Sequence, residues 1–212
     1  MIIQSLLFLF LMMAFLMVLA KRINALIHNF CLQSLALFML TLIFAVAAGS
    51  IELYIVAVLL LIIKVILIPH FLGRIMKKLK VDDNVGFFIN PVLSLFAALL
   101  LTYLSYVFVA RLMPGDLKLQ SWAVIISLSV TLIGLFIMVF RMKALTQIIG
   151  LLVMENGLFL AASAISGGMP FFVEIAIFFD IFVCVIILGV FVYRINKVFT
   201  HVDVNKLSEL RG

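Results

Sequence analysis

The 212-residue chain is 67% hydrophobic and 11% charged, where ordinary globular domains run at about half and a quarter. With a mean hydropathy of +1.42, too few polar groups remain to cover a water-facing surface, which excludes a soluble protein and leaves no room for a soluble catalytic domain. The net charge of +6 would point to nucleic acid in a soluble chain. Here the basic residues stand at the ends of apolar runs, where they set orientation, and no nucleic-acid partner is expected.

A helix needs about 20 apolar residues to cross roughly 30 Å of hydrocarbon. Charge and turn residues divide the chain into seven apolar segments, at about 2–20, 25–48, 51–73, 87–110, 121–140, 144–166 and 171–193. Long runs rather than weakly alternating decamers argue for helices over a barrel. The expected fold class is therefore all-α: a polytopic membrane protein, a bundle of seven transmembrane helices forming a single integral membrane domain over residues 1–212.

The first segment follows Met1-Ile2-Ile3-Gln4 without a basic region and stays apolar to Ala20, too long for a signal-peptide core, so it reads as a retained span. Lys21 and Arg22 separate it from the second, which contains Cys31. Cys31 and Cys184 both fall inside apolar runs without the spacing of a metal site or a disulfide framework, and read as buried apolar side chains. The third segment opens at Glu52, carries Lys64, Pro69 and His70, and ends in the basic run Arg74, Lys77, Lys78, Lys80. The fourth is closed by Arg111 and Lys118, the fifth by Arg141 and Lys143, and the sixth holds Glu155. The seventh holds Glu174 and Asp180 and ends at Arg194, before a polar tail with Lys197, Lys206 and Arg211. The 11 Met and 21 Phe read as packing and lipid contact.

Placing the N-terminus outside and the C-terminus inside puts twelve Lys and Arg on the cytoplasmic side and only Arg111 and Lys118 outside. A missed or extra span would scramble so strong an asymmetry. The expected location is the cytoplasmic (inner) cell membrane, crossed several times.

Lys64, Glu155, Glu174 and Asp180 are charges that the loops do not account for. An acid or lysine at a helix centre costs about 2.5 to 3.5 kcal/mol on insertion scales, so such residues usually face protein or water and carry ions. Glu155 lies eleven residues past Ala144, about 16 Å deep. Asp180 lies nine residues past Phe171, about 14 Å from the outer edge and about 16 Å from the inner one. Two carboxyl groups at one depth, on helices joined by the short Ser166-Gly167-Gly168-Met169-Pro170 turn, have the geometry of a proton relay; neutral carboxyl groups hydrogen-bonded between helices are the alternative. Glu174 sits one turn inside the outer interface, either in the relay or hydrated. Lys64 lies about 10 Å from the cytoplasmic edge, either snorkelling to it or serving as a functional counter-charge. Pro69 frees the Val65 carbonyl, a polar interruption that points to a hydrated path. Glu52 and His70 read as interfacial. Scattered acids fit protons better than sodium, which wants several oxygen ligands. No catalytic triad, zinc motif or phosphate loop is present in the sequence, so no cofactor or metal is expected in this chain.

From Arg141 to Gly212 the chain resembles the small K-type membrane subunit of respiratory complex I and its antiporter relatives. The resemblance rests on Gly150-Leu151, Met154, Asn156, Asp180, Arg194 and Ser208-Glu209-Leu210-Arg211-Gly212. Over its whole length the chain is more similar to hydrogenase-4 component E, on Gln33-Ser34-Leu35, Lys64-Val65 with Pro69, Met154-Glu155-Asn156-Gly157, Val173-Glu174-Ile175, Asp180 and Asp203-Val204-Asn205. The K-type subunit has its acid directly after Gly-Leu, where Leu152 stands here; Glu155 is on the same face one turn later, about 4.5 Å along the axis.

The resemblance implies a membrane-arm subunit of a complex-I-like nickel–iron hydrogenase of the formate hydrogenlyase type. Soluble partners would carry the iron–sulfur and nickel–iron chemistry, and antiporter-like subunits would be among its neighbours in the bilayer. The chain would not be an enzyme alone; its proton-relay residues would be Glu155, Asp180, Lys64 and Glu174. A subunit of a cation/proton antiporter complex and a passive membrane scaffold are the other readings.

Overall fold

The computed structural model describes residues 2–49, 51–78, 83–86, 89–113 and 119–166. Apart from short connections they form helices: α1 (Ile2–Leu19), α2 (Ile23–Ala48), α3 (Ile51–Leu60), a π-helical stretch (Leu61–Leu67) running without a break into α4 (Ile68–Lys78), α5 (Pro91–Leu112), α6 (Leu119–Phe140) and α7 (Ala144–Ser166). Counting α3, the π stretch and α4 as one rod, six of these are long and apolar enough to cross a membrane. Each matches one of the first six apolar segments. The expected seventh span, 171–193, and with it Glu174, Asp180, Cys184 and the polar tail, lies outside the described residues, as does the 167–212 part of the 141–212 portion.

The ends of the helices follow local chemistry. Gly49 ends α2 at φ 61°, a left-handed conformation that costs glycine little. The Asn90 side chain accepts from Val92 N at 3.1 Å, and Pro91 occupies the first turn of α5, where a missing N–H does no harm. In the third rod Pro69 has no N–H to offer the Val65 carbonyl, which accepts instead from the Cys31 thiol of α2 at 3.5 Å. Ile68 N–H bonds back five residues to Ile63 O, so the helix widens at this point and does not break. Beyond it α4 is two-faced: Ile68, Leu72, Ile75 and Met76 are buried, while His70, Arg74 and Lys77 are exposed at intervals of four and three residues, one stripe of a helix.

Helices α6 and α7 lie closest together. A Cβ on Gly150 would stand 2.6 Å from Met138 N, and one on Gly157 2.6 Å from Thr131 N, so the backbones meet where only hydrogen fits. The core runs between them and α1 and α2, through Phe10, Phe30, Leu37, Val130, Ile133, Leu152 and Leu160. By contrast α5 leaves Phe96, Leu100, Tyr103, Leu104 and Phe108 exposed, as suits a helix facing lipid or a neighbouring chain.

At one end of the bundle three connections are stitched together. Ile23 N and Asn24 N bond Asp83 O and Oδ1 at 2.8 and 3.1 Å, Val85 N bonds Lys21 O at 3.1 Å, and Met142 N bonds Gly86 O at 3.4 Å. Arg141, 3% exposed, donates to Met17 O and Val18 O at 3.3 and 2.6 Å, covering terminal carbonyls of α1 with a cation. Burial lowers its pKa to about 10, so it is charged at neutral pH. The basic connections around Lys21, Arg22, Arg141 and Lys143 thus share one end of the molecule.

Candidate functional site

Lys64, on the π stretch, is buried inside the bundle. Its Nζ lies 3.0 Å from Glu155 Oε1 on α7, with the two side chains 1% and 5% exposed. Two unlike charges thus face each other out of reach of water, where Coulomb attraction is strong and the loss of hydration is also large. The same ammonium donates to Asn156 Oδ1 at 3.0 Å. Asn156 Nδ2 in turn donates to Ser34 Oγ at 3.1 Å and Gln33 Oε1 at 3.4 Å on α2, and Gln33 Nε2 donates to Phe10 O of α1 at 3.3 Å. Four helical rods are tied by one polar cluster in an otherwise apolar interior.

The carboxylate is held differently from the amides. The Lys64 Nζ approaches Glu155 within ion-pair distance, but among the described residues neither Oε1 nor Oε2 accepts an aligned hydrogen bond. The attraction is of charge for charge, with no directed donor.

The structure brings together two of the four charged residues singled out in the sequence, Lys64 and Glu155. Their expected depths differed by about 6 Å; the long lysine stem bridges the offset. Lys64 is surrounded in the described residues by Glu155 and Asn156, and the hydrated path read from Pro69 stays an expectation. Asp180 and Glu174 lie outside the described residues. Glu52 and His70 are exposed, and Cys31 is a free thiol. Sequence reasoning gave no role to Gln33, Ser34 or the Asn156 amide, although polar groups deep in long apolar runs were the available signal. Arg141 lies in the α6–α7 connection, as expected; its burial against the carbonyls of Met17 and Val18 was not foreseen.

Among the described residues no group of three or more His, Cys, Asp or Glu is placed to hold a metal ion. An apolar cavity of about 690 Å³ opens between α1, α5 and α6, lined by Phe8, Tyr103, Tyr106 and Trp122 among others. It shares no residue with the Lys64 cluster.

The chain is 28% identical over 152 residues to Hydrogenase-4 component E of Escherichia coli K12, and equally to that of Shigella flexneri, covering 71% of this chain and 70% of theirs. Its likeness is to a hydrogenase component. It is also 37% identical over 89 residues to an uncharacterized protein of Mycobacterium tuberculosis, covering 42% of this chain and 40% of that protein. No family model and no solved structure matches. The matched length with component E supports the resemblance read from the motifs; the likeness of residues 141–212 to the K-type subunit rests on its motifs alone.

Proposed function

We propose that this chain is a membrane subunit of a complex-I-like nickel–iron hydrogenase assembly, in which its intramembrane charges take part in proton translocation driven by redox chemistry in partner subunits. The observation that carries the reading is the Lys64–Glu155 pair, 3.0 Å apart and buried, in a chain distantly similar to a hydrogenase component over 71% of its length. A buried pair is a poor way to stabilise a bundle, since apolar side chains of similar size usually do as well or better. Intramembrane charges are instead the ordinary equipment of proton pathways.

In this reading the chain is a single membrane domain of seven spans, N-terminus outside and C-terminus inside, in the cytoplasmic membrane. The span 171–193 carries Asp180 to the depth of Glu155 and Glu174 to the outer rim, so that Glu155, Lys64, Asp180 and Glu174 line one route. Residues 141–212 act as the K-like portion. The chain has no turnover by itself; antiporter-like membrane subunits and soluble redox subunits are its partners. An affinity-tagged chain purified from its own membranes should bring down a nickel–iron large subunit and antiporter-like subunits. Recovery of antiporter-like subunits without a redox partner would move the assignment to a cation/proton antiporter.

A further inference from the structure

The polar cluster beside Glu155 has an orientation fixed from both ends. Lys64 as an ammonium has donors only, so Asn156 presents Oδ1 to it, at 3.0 Å. The Phe10 carbonyl can only accept, so Gln33 presents Nε2 to it, at 3.3 Å. Between these ends Asn156 Nδ2 meets Gln33 Oε1 and Ser34 Oγ. Turning either amide over would set donor against donor or acceptor against acceptor. Both side-chain carbonyls therefore point along the chain toward Lys64, and Gln33, Ser34 and Asn156 are at most 1% exposed. Oriented dipoles in a dry interior act strongly on a nearby charge, and these present their negative ends to the ammonium.

Glu155 has no such support. Among the described residues neither carboxylate oxygen accepts an aligned hydrogen bond, and the described stabilisation is the charge of Lys64 at 3.0 Å. Protonating a carboxylate that accepts directed hydrogen bonds sacrifices them; here the described contact given up is the charge attraction of Lys64. From α2, the Cys31 thiol bonds the neighbouring Val65 carbonyl; Asp180 and Glu174 lie outside the described residues.

We propose that the Gln33–Asn156 amide chain keeps Lys64 a permanent ammonium, and that Glu155 is the member of the pair that takes up and releases the proton. The proton bonds to a Glu155 carboxylate oxygen and later leaves the same group for a water molecule or a neighbouring acid. The pair alternates between net charge zero and +1, and Lys64 neither gives nor receives a proton. Gln33 and Asn156 are positioning residues. A primary amide holds its hydrogens at neutral pH, so the chain toward α1 is closed to protons and the route leaves Glu155 by another side. This inference rests on the reading that the pair belongs to a proton path.

The test is solid-state NMR of the assembled complex in lipid nanodiscs, with lysine labelled at Nζ and glutamate at the carboxyl carbon. Lys64→Met and Glu155→Gln assign the two signals. Across the neutral pH range the Glu155 carbon should move between its acid and carboxylate positions while the Lys64 nitrogen stays at the ammonium position. Gln33→Leu, which frees Asn156 to turn, should bring the amine form of Lys64 into the same range. A wild-type Lys64 that becomes an amine while Glu155 stays ionised would overturn the proposal, and so would a Glu155 that never changes. The wild-type spectra decide the matter even where Gln33→Leu does not assemble. Loss of proton pumping as a property of the complex, with these spectra intact, would count against the proposed function and leave the division of roles standing.

Discussion

A lysine ammonium and a glutamate carboxylate withdrawn from water each lose several kcal/mol of hydration; Lys64 recovers part of it from Glu155 and from Asn156 Oδ1, and Glu155 recovers part of it from Lys64. Removing one partner strands the other. Lys64→Met should therefore lower resistance to denaturant in mild detergent by about 3–5 kcal/mol, the range for a broken buried pair. The double variant Lys64→Met/Glu155→Leu should regain most of that loss, because two apolar side chains leave no stranded charge. A double variant as weak as the sum of the single ones would mean that the two residues do not interact.

Asn156 belongs to the same accounting: Asn156→Leu leaves buried polar groups of Gln33 and Ser34 short of a partner, at about 1–3 kcal/mol. Asn156→Ser keeps one donor and one acceptor in the gap and should lose less in the same denaturant series. Equal losses for the two substitutions would show that the amide's hydrogen bonds contribute nothing.

At the scale of helices, the pair depends on two devices that place its members. The first is the contact of α6 with α7, where Gly150 and Gly157 let the backbones close to a separation that no Cβ tolerates. Gly157→Leu should push α7 off α6 and carry Glu155 and Asn156, its neighbours, away from Lys64. Overpacking of this kind costs about 1–3 kcal/mol, and a cysteine pair cross-linked across the two helices in the parent should no longer link in the variant. Unchanged cross-linking would contradict the close contact.

The second device is the π stretch, and it marks how far the sequence could be read. Apolar length alone located all six described spans, since a membrane demands about 20 residues per crossing and charges cannot intrude. Pro69 announced an interruption and correctly left Val65 O in want of a donor. Nothing in Leu61–Leu67 announced that the chain would widen its hydrogen-bond register and stay helical, because that is decided by packing against the neighbouring helices. The meeting of Lys64 with Glu155 was hidden for the same reason. Depth can be counted along a sequence, whereas rotation about a helix axis and the order of helices around a bundle are set by packing. Gln33 and Asn156 were visible as polar residues in apolar runs, but their partnership needs both helices side by side.

For the whole molecule, the connections bearing Lys21, Arg22, Arg141 and Lys143 gather at one end, which agrees with the clustering of basic residues demanded by the positive-inside rule. With Cys31 and Cys184 replaced by alanine, single cysteines at positions 78 and 143 should react only with reagents that reach the cytoplasm, and one at 118 only with reagents outside. Labelling of position 118 from the cytoplasm would overturn the seven-span arrangement. The exposed apolar face of α5, from Phe96 to Phe108, suits a chain that works inside a larger membrane assembly.

The central claim is that Glu155 and Asp180 move protons on behalf of redox partners. Glu155→Gln and Asp180→Asn keep volume and hydrogen-bonding capacity while removing titration, so they separate proton carriage from packing. The deciding measurement is the ratio of protons moved to electrons transferred by the assembled complex in sealed vesicles, for each variant and for the two combined. The account predicts assembled complexes with a lowered ratio, and a double variant little worse than the more damaging single one, because both substitutions interrupt one path. An unchanged ratio in the double variant would contradict it and reduce the chain to a scaffold.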